Sequence, residues 1–176
     1  MLIRHAREKD MSHILDLMRR LVIFRDADLA TGFVEYLLPS ESLLRECIRQ
    51  TPFFFVAEEL GNIIGFLSCY PSSLLHDTRF SGDAIIQHLL ARKQSFLYWE
   101  LLGVDRLYHQ KGIGTALTHH FLHAITYSSY TLVYAAVAHK PHMNSVSSAL
   151  LVSCGFVLDN EIIFDCLVFG IYKKII

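Results

Sequence analysis

One stretch of this chain has residue types and spacing that can do chemistry with backbone alone: Tyr108-His109-Gln110-Lys111-Gly112-Ile113-Gly114-Thr115-Ala116-Leu117. It follows an apolar run, SFLYWELLGV, and opens a segment of helical spacing. A strand that ends in a loop and at once starts a helix gathers several unpaired N–H groups at one point. The helix dipole adds positive potential there, so the place suits an anion. Gly112 and Gly114 lack the side chains that would hold a phosphate away from those groups, and Lys111 adds charge at the edge. The rival phosphate motifs do not fit. A dinucleotide fingerprint needs a third glycine where Leu117 stands, and a Walker loop needs Gly-Lys-Ser/Thr after four intervening residues. Taken alone, the two glycines also describe a turn that needs flexible residues.

Other chemistry-bearing groups point less far. His119, His120 and His123 have HHxxH-like spacing, with His119 and His123 one helical turn apart. A metal site needs further ligands, usually with an acidic neighbour, and none is evident, so no metal is expected. No nucleophile-elbow sequence supports Ser-His-Asp hydrolysis. The run Phe53-Phe54-Phe55 reads as core. Tyr70, Ser72, Ser73 and the loop through Asp77 could shape a substrate pocket, because loops over a rigid sheet commonly carry specificity.

The elements that must position these groups follow from periodicity. LIRHARE alternates as an opening strand, and Asp10 caps a helix from Met11 to about Arg25 carrying Ile14, Leu17, Met18, Leu21 and Val22 at helical spacing. Residues 26–39 are ambiguous. Pro39-Ser40-Glu41 starts a second helix with Leu43, Leu44, Cys47 and Ile48 on one face. PFFFVAEE and IIGFLSCY form antiparallel strands across Leu60-Gly61-Asn62, where Gly and Asn tolerate positive φ. A short helix spans Ala84 to Arg92, SFLYWELLGV is a strand, and a helix completes itself from Thr115 to about Thr126. LVYAAVA is a buried strand, Asn144 to Ser153 a helix ended by Gly155, and FVLDN and FDCLVFGIYKK are closing strands. The order β-α-α-β-β-(α)-β-α-β-α-β-β, without repeat or linker, predicts one α/β domain over residues 1–176.

Composition narrows the partners. At 176 residues the chain can bury a large core, and twelve Phe and eight Tyr make it aromatic-rich. A net charge of −1 gives no reason to expect nucleic acid or an acidic membrane surface. Cys47, Cys69, Cys154 and Cys166 are scattered without a CxxC pair, which suits a reducing cytosol. No signal-peptide layout opens the chain, and no apolar stretch is long enough to span a bilayer. A cytoplasmic protein is expected. The apolar C-terminal strand could extend a sheet into a second copy, giving a homodimer.

ELLGVDRLYHQKGIGTAL resembles the coenzyme A-binding motif of the GNAT superfamily of N-acetyltransferases, a strand ending in Leu-x-Val that leads into Arg/Gln-x-x-Gly-x-Gly/Ala. NSVSSALLVSCGF, from Asn144 to Phe156, resembles the second motif of that family, and IRHAREKDMSHILDLM its opening strand and helix. The resemblance implies a mixed, mostly antiparallel twisted sheet of six to seven strands with helices on both faces. It implies acetyl-CoA as acyl donor and a small-molecule or peptide amine as acceptor. Carried onto this sequence, the diphosphate sits on His109, Gln110, Lys111, Gly112, Ile113, Gly114 and Thr115, mainly through backbone amides. Leu102, Gly103 and Val104 offer backbone to the pantetheine arm, and Asn144 bonds that arm or its own helix start. His139, Lys140 and His142 lie around Pro141 in the loop after LVYAAVA, a loop that borders the acceptor pocket in the family.

Glu100, in an otherwise apolar strand where burial raises its pKa, is the candidate general base, with Tyr98 two residues back on the same face. Two departures stand out. His109 occupies a position where the family has Arg or Gln, which implies weaker or more pH-dependent cofactor binding. Leu151 occupies the position where relatives carry a Tyr that protonates the leaving thiolate. Ser147, Ser148 or a water would then supply that proton. The departures also leave room for a non-catalytic acyl-CoA-binding or regulatory module.

Overall fold

The computed structural model describes residues 1–23, 33–34, 40–164 and 166–176. In chain order the elements are β1 (Leu2–His5), α1 (Met11–Leu21), β2 (Val22–Ile23), β3 (Phe33–Val34), α2 (Glu41–Gln50), β4 (Phe54–Glu59) and β5 (Asn62–Pro71). There follow α3 (Ala84–Leu90), β6 (Leu97–Val104), α4 (Ile113–Ile125), β7 (Leu132–Lys140), α5 (Ser145–Ser153), β8 (Val157–Phe164) and β9 (Leu167–Ile175). This is a mixed α/β fold on a seven-stranded, mostly antiparallel sheet; β2 and β3 form a separate two-residue ladder. Apart from Phe33 and Val34, the ambiguous stretch 26–39 lies outside the described residues.

Contacts group the chain into two compact units, each made of two separated pieces. The first comprises Met1–Cys69 and Leu101–Ala124. Here β1 runs antiparallel to β4, which runs antiparallel to β5 with a register shift at Ala57/Glu58. The β4–β5 turn differs from expectation in one detail. Leu60 (φ 50°) and Gly61 (φ 82°) take the left-handed conformation, while Asn62 already begins β5. Helix α1 buries Met11, Ile14, Leu17, Met18 and Leu21 and stops there rather than at Arg25, because β-branched Val22 is extended and pairs as strand. Asp10 stands at the start of α1 but its side chain does not cap it. The carboxylate instead accepts from both Arg4 terminal nitrogens (2.7 and 2.9 Å) and from the Arg7 amide (2.8 Å). Ser40 caps α2 by accepting from Leu43 N, at 3.3 Å.

The second unit comprises Tyr70–Glu100 and Ile125–Ile176, with strand order β6-β7-β9-β8. Strand β6 is parallel to β7 over Leu97↔Val133, Tyr98↔Tyr134 and Trp99↔Ala135. The other two pairs, β7–β9 and β8–β9, are antiparallel. Two boundaries depart from the sequence reading. Strand β7 continues past Ala138 through His139 and Lys140, and β8 runs to Phe164 before Cys166 (φ 64°) turns the chain into β9. The aromatic core includes Phe96 edge-on to Tyr134 and Trp99 edge-on to Phe156. Arg92 binds Asp159 (2.6 Å), the Tyr134 hydroxyl (3.0 Å) and Asn160 Oδ1 (3.1 Å), and Lys173 binds Asp159 as well.

Candidate functional site

In the first unit, the polar apparatus gathers where β6 gives way to α4. Asp105, directly after β6, is 9% exposed and holds the exit of the strand in place. Its amide donates to the Ile64 carbonyl (2.9 Å), and its carboxylate accepts from Leu107 N (3.0 Å) and from Arg20 Nη1 (2.6 Å). A single turn of 3-10 helix, Arg106–Tyr108, follows. His109 then folds back, Nε2 lying 2.9 Å from the Val104 carbonyl. A carbonyl can only accept, so Nε2 carries the proton and the ring latches the loop shut. Lys111 sets its ammonium over the Tyr108 ring, 4.8 Å from the centroid.

The corner itself turns on two left-handed residues, Gln110 (φ 60°) and Gly112 (φ 76°). Alternating backbone handedness turns successive N–H groups to one side, a concavity suited to anions. The first helical bond of α4 runs from Ala116 N to the Gly112 carbonyl (2.9 Å), which leaves the Ile113, Gly114 and Thr115 amides, as at any helix start, without a backbone acceptor among the described residues. Gln110, Lys111, Gly112 and Thr115 are exposed, Gly114 is half-buried, and Ile113 anchors the turn in the core. A Cβ built on Gly112 meets nothing within 4 Å, so the corner is open. Close packing behind it depends on two other glycines. A Cβ on Gly103 would stand 2.5 Å from Phe66, and one on Gly65 would press on the Gly103 carbonyl, Ile113 and Leu117. Gly103 is therefore required by packing. Leu102 and Val104 beside it are half-buried.

In the second unit, Glu100 lies one residue beyond the last paired position of β6 with β7. The residue as a whole is half-buried, but Oε2 is sealed from solvent and accepts no hydrogen bond among the described residues. The surroundings of the carboxyl govern its titration, and burial pushes it up to about 8; the Tyr70 hydroxyl pulls it down and the Asp83 charge raises it further. Asp83 caps α3, its Oδ1 accepting from both Ile85 N (2.8 Å) and Ile86 N (3.0 Å). Burial raises the Asp83 carboxyl also, against the pull of those two amides. Tyr98, on the same strand as Glu100, is buried in the core.

Asn144 acts as a helix cap: Oδ1 accepts from Ser147 N at 3.0 Å. Leu151, 3% exposed, belongs to the core, and its carbonyl accepts from Phe156 N (3.0 Å) while Val152 accepts from Gly155 N (2.9 Å). With Gly155 at φ 82° this is a Schellman end. Ser148 is buried and its hydroxyl makes no hydrogen bond among the described residues. His139 sits on β7 rather than in the following loop, bonded to Glu161 through Nδ1 (2.6 Å) and to the Tyr172 hydroxyl through Nε2 (3.1 Å). Those bonds tie the ring to the strands around it.

The α4 histidines gather no metal-binding set. His120 stacks edge-on against Phe55 at 4.8 Å, and His5 packs on the same ring at 4.7 Å. Burial, followed by the charges of His5 and His123, lowers the His120 pKa. Among the described residues no group of three or more metal-ligating side chains comes together, and no helix is long and apolar enough to cross a membrane. Sequence reasoning missed Asp105, Arg20 and Asp83. The two aspartates had a signal: each stands one residue before a helical turn, where a carboxylate caps.

The family model described as acetyltransferase (GNAT) family matches residues 20–156. No curated protein sequence matches the chain. Among solved structures, a mosquito arylalkylamine N-acetyltransferase like 5b is 14% identical with TM-score 0.69, and 99% of each chain is covered. Arabidopsis thaliana Naa50, in complex with a CoA-containing bisubstrate analogue, is 17% identical with TM-score 0.66, covering 98% of this chain and 97% of that one. A Drosophila melanogaster polyamine N-acetyltransferase that forms N-acetylagmatine is 14% identical with TM-score 0.67, again with 99% of each chain covered. At these identities the likeness is one of fold.

Proposed function

The chain belongs to the GNAT acetyltransferase family, and on that premise we propose that it transfers an acetyl group from acetyl-CoA to a primary amine within a ternary complex. The observation that carries this reading is the open corner at Gln110–Gly112, with the free amides of Ile113, Gly114 and Thr115 behind it. Those groups fit a diphosphate: several converging N–H donors, no side chain in the way, and the positive end of α4. The fold neighbour crystallised with a CoA-containing analogue supports the same donor.

In this reading Gln110 to Thr115 hold the diphosphate, and the His109 latch keeps the loop in that shape. Leu102, Gly103 and Val104 offer backbone groups to the pantetheine arm, much as an edge strand accepts another strand. Acetyl-CoA supplies an activated thioester carbonyl. A backbone amide of β6 polarises that carbonyl, the oxyanion-type contribution of a fixed dipole. Glu100, ionised, takes a proton from the acceptor ammonium, and the freed nitrogen bonds to the acetyl carbon as the carbon–sulfur bond breaks. Sulfur keeps the electron pair and leaves as a thiolate, tolerable for a thiol of pKa near 8.5. The nitrogen, positively charged once bonded to carbon, loses a second proton as the amide forms. Leu151 cannot relay it, so it reaches the thiolate through water or a hydroxyl such as that of Ser148, which regains the proton it passes on.

A second reading, an acyl-CoA-binding module without turnover, is favoured by the apolar, buried Leu151. Calorimetric titration with acetyl-CoA, followed by thiol release across a panel of amines, separates the two. Binding with turnover supports transfer, binding without turnover on any amine supports the module, and no binding contradicts both.

A further inference from the structure

Two successive residues of the edge strand β8 each take a histidine, on opposite faces of the sheet. Asn160 and Glu161 pair in turn with Ile171 and Gly170 of β9, so their side chains point to opposite sides. Glu161 accepts from Nδ1 of His139 on β7 (2.6 Å), and Nε2 of that ring meets the Tyr172 hydroxyl (3.1 Å). Asn160 Nδ2 meets Nε2 of His88 on α3 at 3.0 Å.

The two rings make opposite demands on protons. A carboxylate only accepts, so His139 Nδ1 carries hydrogen, and a second proton on Nε2 can still be donated to the Tyr172 oxygen. His88 is placed differently. Nη2 of Arg92, one helical turn further on, lies 3.2 Å from the same His88 Nε2 and 3.1 Å from Asn160 Oδ1. A guanidinium has no acceptor atom, so the oxygen of Asn160 must face it, which turns the amide's NH2 toward His88. Both neighbours of Nε2 are therefore donors, and Nε2 must present its lone pair. The His88 ring is neutral, with its hydrogen on Nδ1.

A proton on Nε2 would find no acceptor there. The charged groups at the junction are Arg92, Asp159 of β8 and Lys173 of β9, with the Tyr134 hydroxyl of β7 bonded to Arg92. Two cations already share the one carboxylate, and a protonated His88 would add a third. The 3-10 turn Leu74–His76 also packs on α3 and brings His76 as its titratable group, which makes no hydrogen bond to His88 among the described residues.

We propose that His88 is an acid-released latch: neutral, it ties the last turn of α3 to β8, and protonated, it lets that turn go. The His139–Glu161 bond on the other face of β8 survives the same protonation, so the release is confined to the α3 side. This joint works whatever reaction the chain performs.

Two measurements on the whole chain test the latch. The nitrogen-15 spectrum of the imidazoles at pH 8 should show His88 as the neutral Nδ1–H form, and the Nε2–H form overturns the proposal. Amide hydrogen exchange, corrected for intrinsic rates, should show protection from Gln87 to Leu90 falling at least about ten-fold between pH 8 and pH 5, the range in which imidazoles titrate. Asp83 caps the other end of α3 and titrates as well, its carboxyl raised by burial, so the reference is His88→Gln. The glutamine oxygen accepts the same two bonds and takes no proton. Wild type should lose at least about ten-fold more protection than that variant. Equal losses in the two proteins overturn the proposal, as does a wild type whose protection ignores pH. If His88→Gln does not fold, Asp83→Asn, which caps without titrating, must keep the ten-fold fall, and its disappearance there overturns the proposal too.

Discussion

The imidazole of His109 donates from Nε2 to the carbonyl of Val104 at 2.9 Å, joining the end of β6 to the loop that precedes the glycine corner. The residue that departs from the family pattern therefore holds backbone. An amide side chain can make the same bond, so His109→Gln should bind acetyl-CoA within about three-fold of wild type, whereas His109→Ala should weaken it roughly ten-fold, equivalent to about 1.4 kcal/mol. Calorimetry on the two variants reads the difference. Equal loss in both would mean that the ring serves the ligand in another way.

Asp105 organises the same loop from the strand side. Asp105→Ala removes acceptors from Leu107 N and Arg20 together, and the midpoint of urea unfolding should fall by an amount equivalent to roughly 1–3 kcal/mol. Arg20→Ala removes an exposed partner only, so its cost should stay below about 1 kcal/mol.

Gly103 and Gly112 should fail in opposite ways. A methyl on Gly103 collides with Phe66, so Gly103→Ala should lose about 1–3 kcal/mol of stability. A methyl on Gly112 meets open space, leaving only the backbone penalty of positive φ, about 1 kcal/mol, but it intrudes on the proposed place of the diphosphate. Thermal unfolding and acetyl-CoA titration, done on both variants, should show the larger stability loss in the first and the larger affinity loss in the second.

As the proposed base, Glu100 should set the pH dependence. As a base it must be ionised, so kcat/KM should rise with pH and reach half its plateau near about 8, and Glu100→Gln should lower kcat by roughly 10²–10⁴-fold. The linkage to stability has the opposite slope. Between the ordinary carboxyl value of 4.5 and about 8 the folded protein holds a proton that the unfolded chain has released, so this contribution is full below about pH 4.5 and lost as pH rises through 8. Relative to wild type, Glu100→Gln should gain on the order of a few kcal/mol between pH 5 and pH 9, measured by denaturant unfolding.

Much of this was legible in the residues. The glycine corner, the Asn144 cap, the Gly155 stop and the lone acid in an apolar strand all depend on local chemistry, which a sequence displays directly. What stayed hidden depends on distance. Arg20 and Asp105 lie 85 positions apart, and nothing local marks them as partners. In the Leu60-Gly61-Asn62 turn the residue types favour positive φ at Gly61 and Asn62, yet it falls on Leu60 and Gly61, because a leucine at positive φ runs against its own preference and only strand pairing reveals it. His139 was read into a loop because β-pairing with β9 carries β7 past the apolar run that defined it.

The central claim is that backbone amides at the corner hold the diphosphate of acetyl-CoA. The most direct measurement is a titration of isotopically labelled protein with acetyl-CoA, following the amide resonances of Gly112, Ile113, Gly114 and Thr115. Saturable shifts at these four amides, reproduced by CoA and by the 3′,5′-adenosine bisphosphate portion only in part, are the predicted result. Saturable binding that leaves all four unmoved would contradict the account.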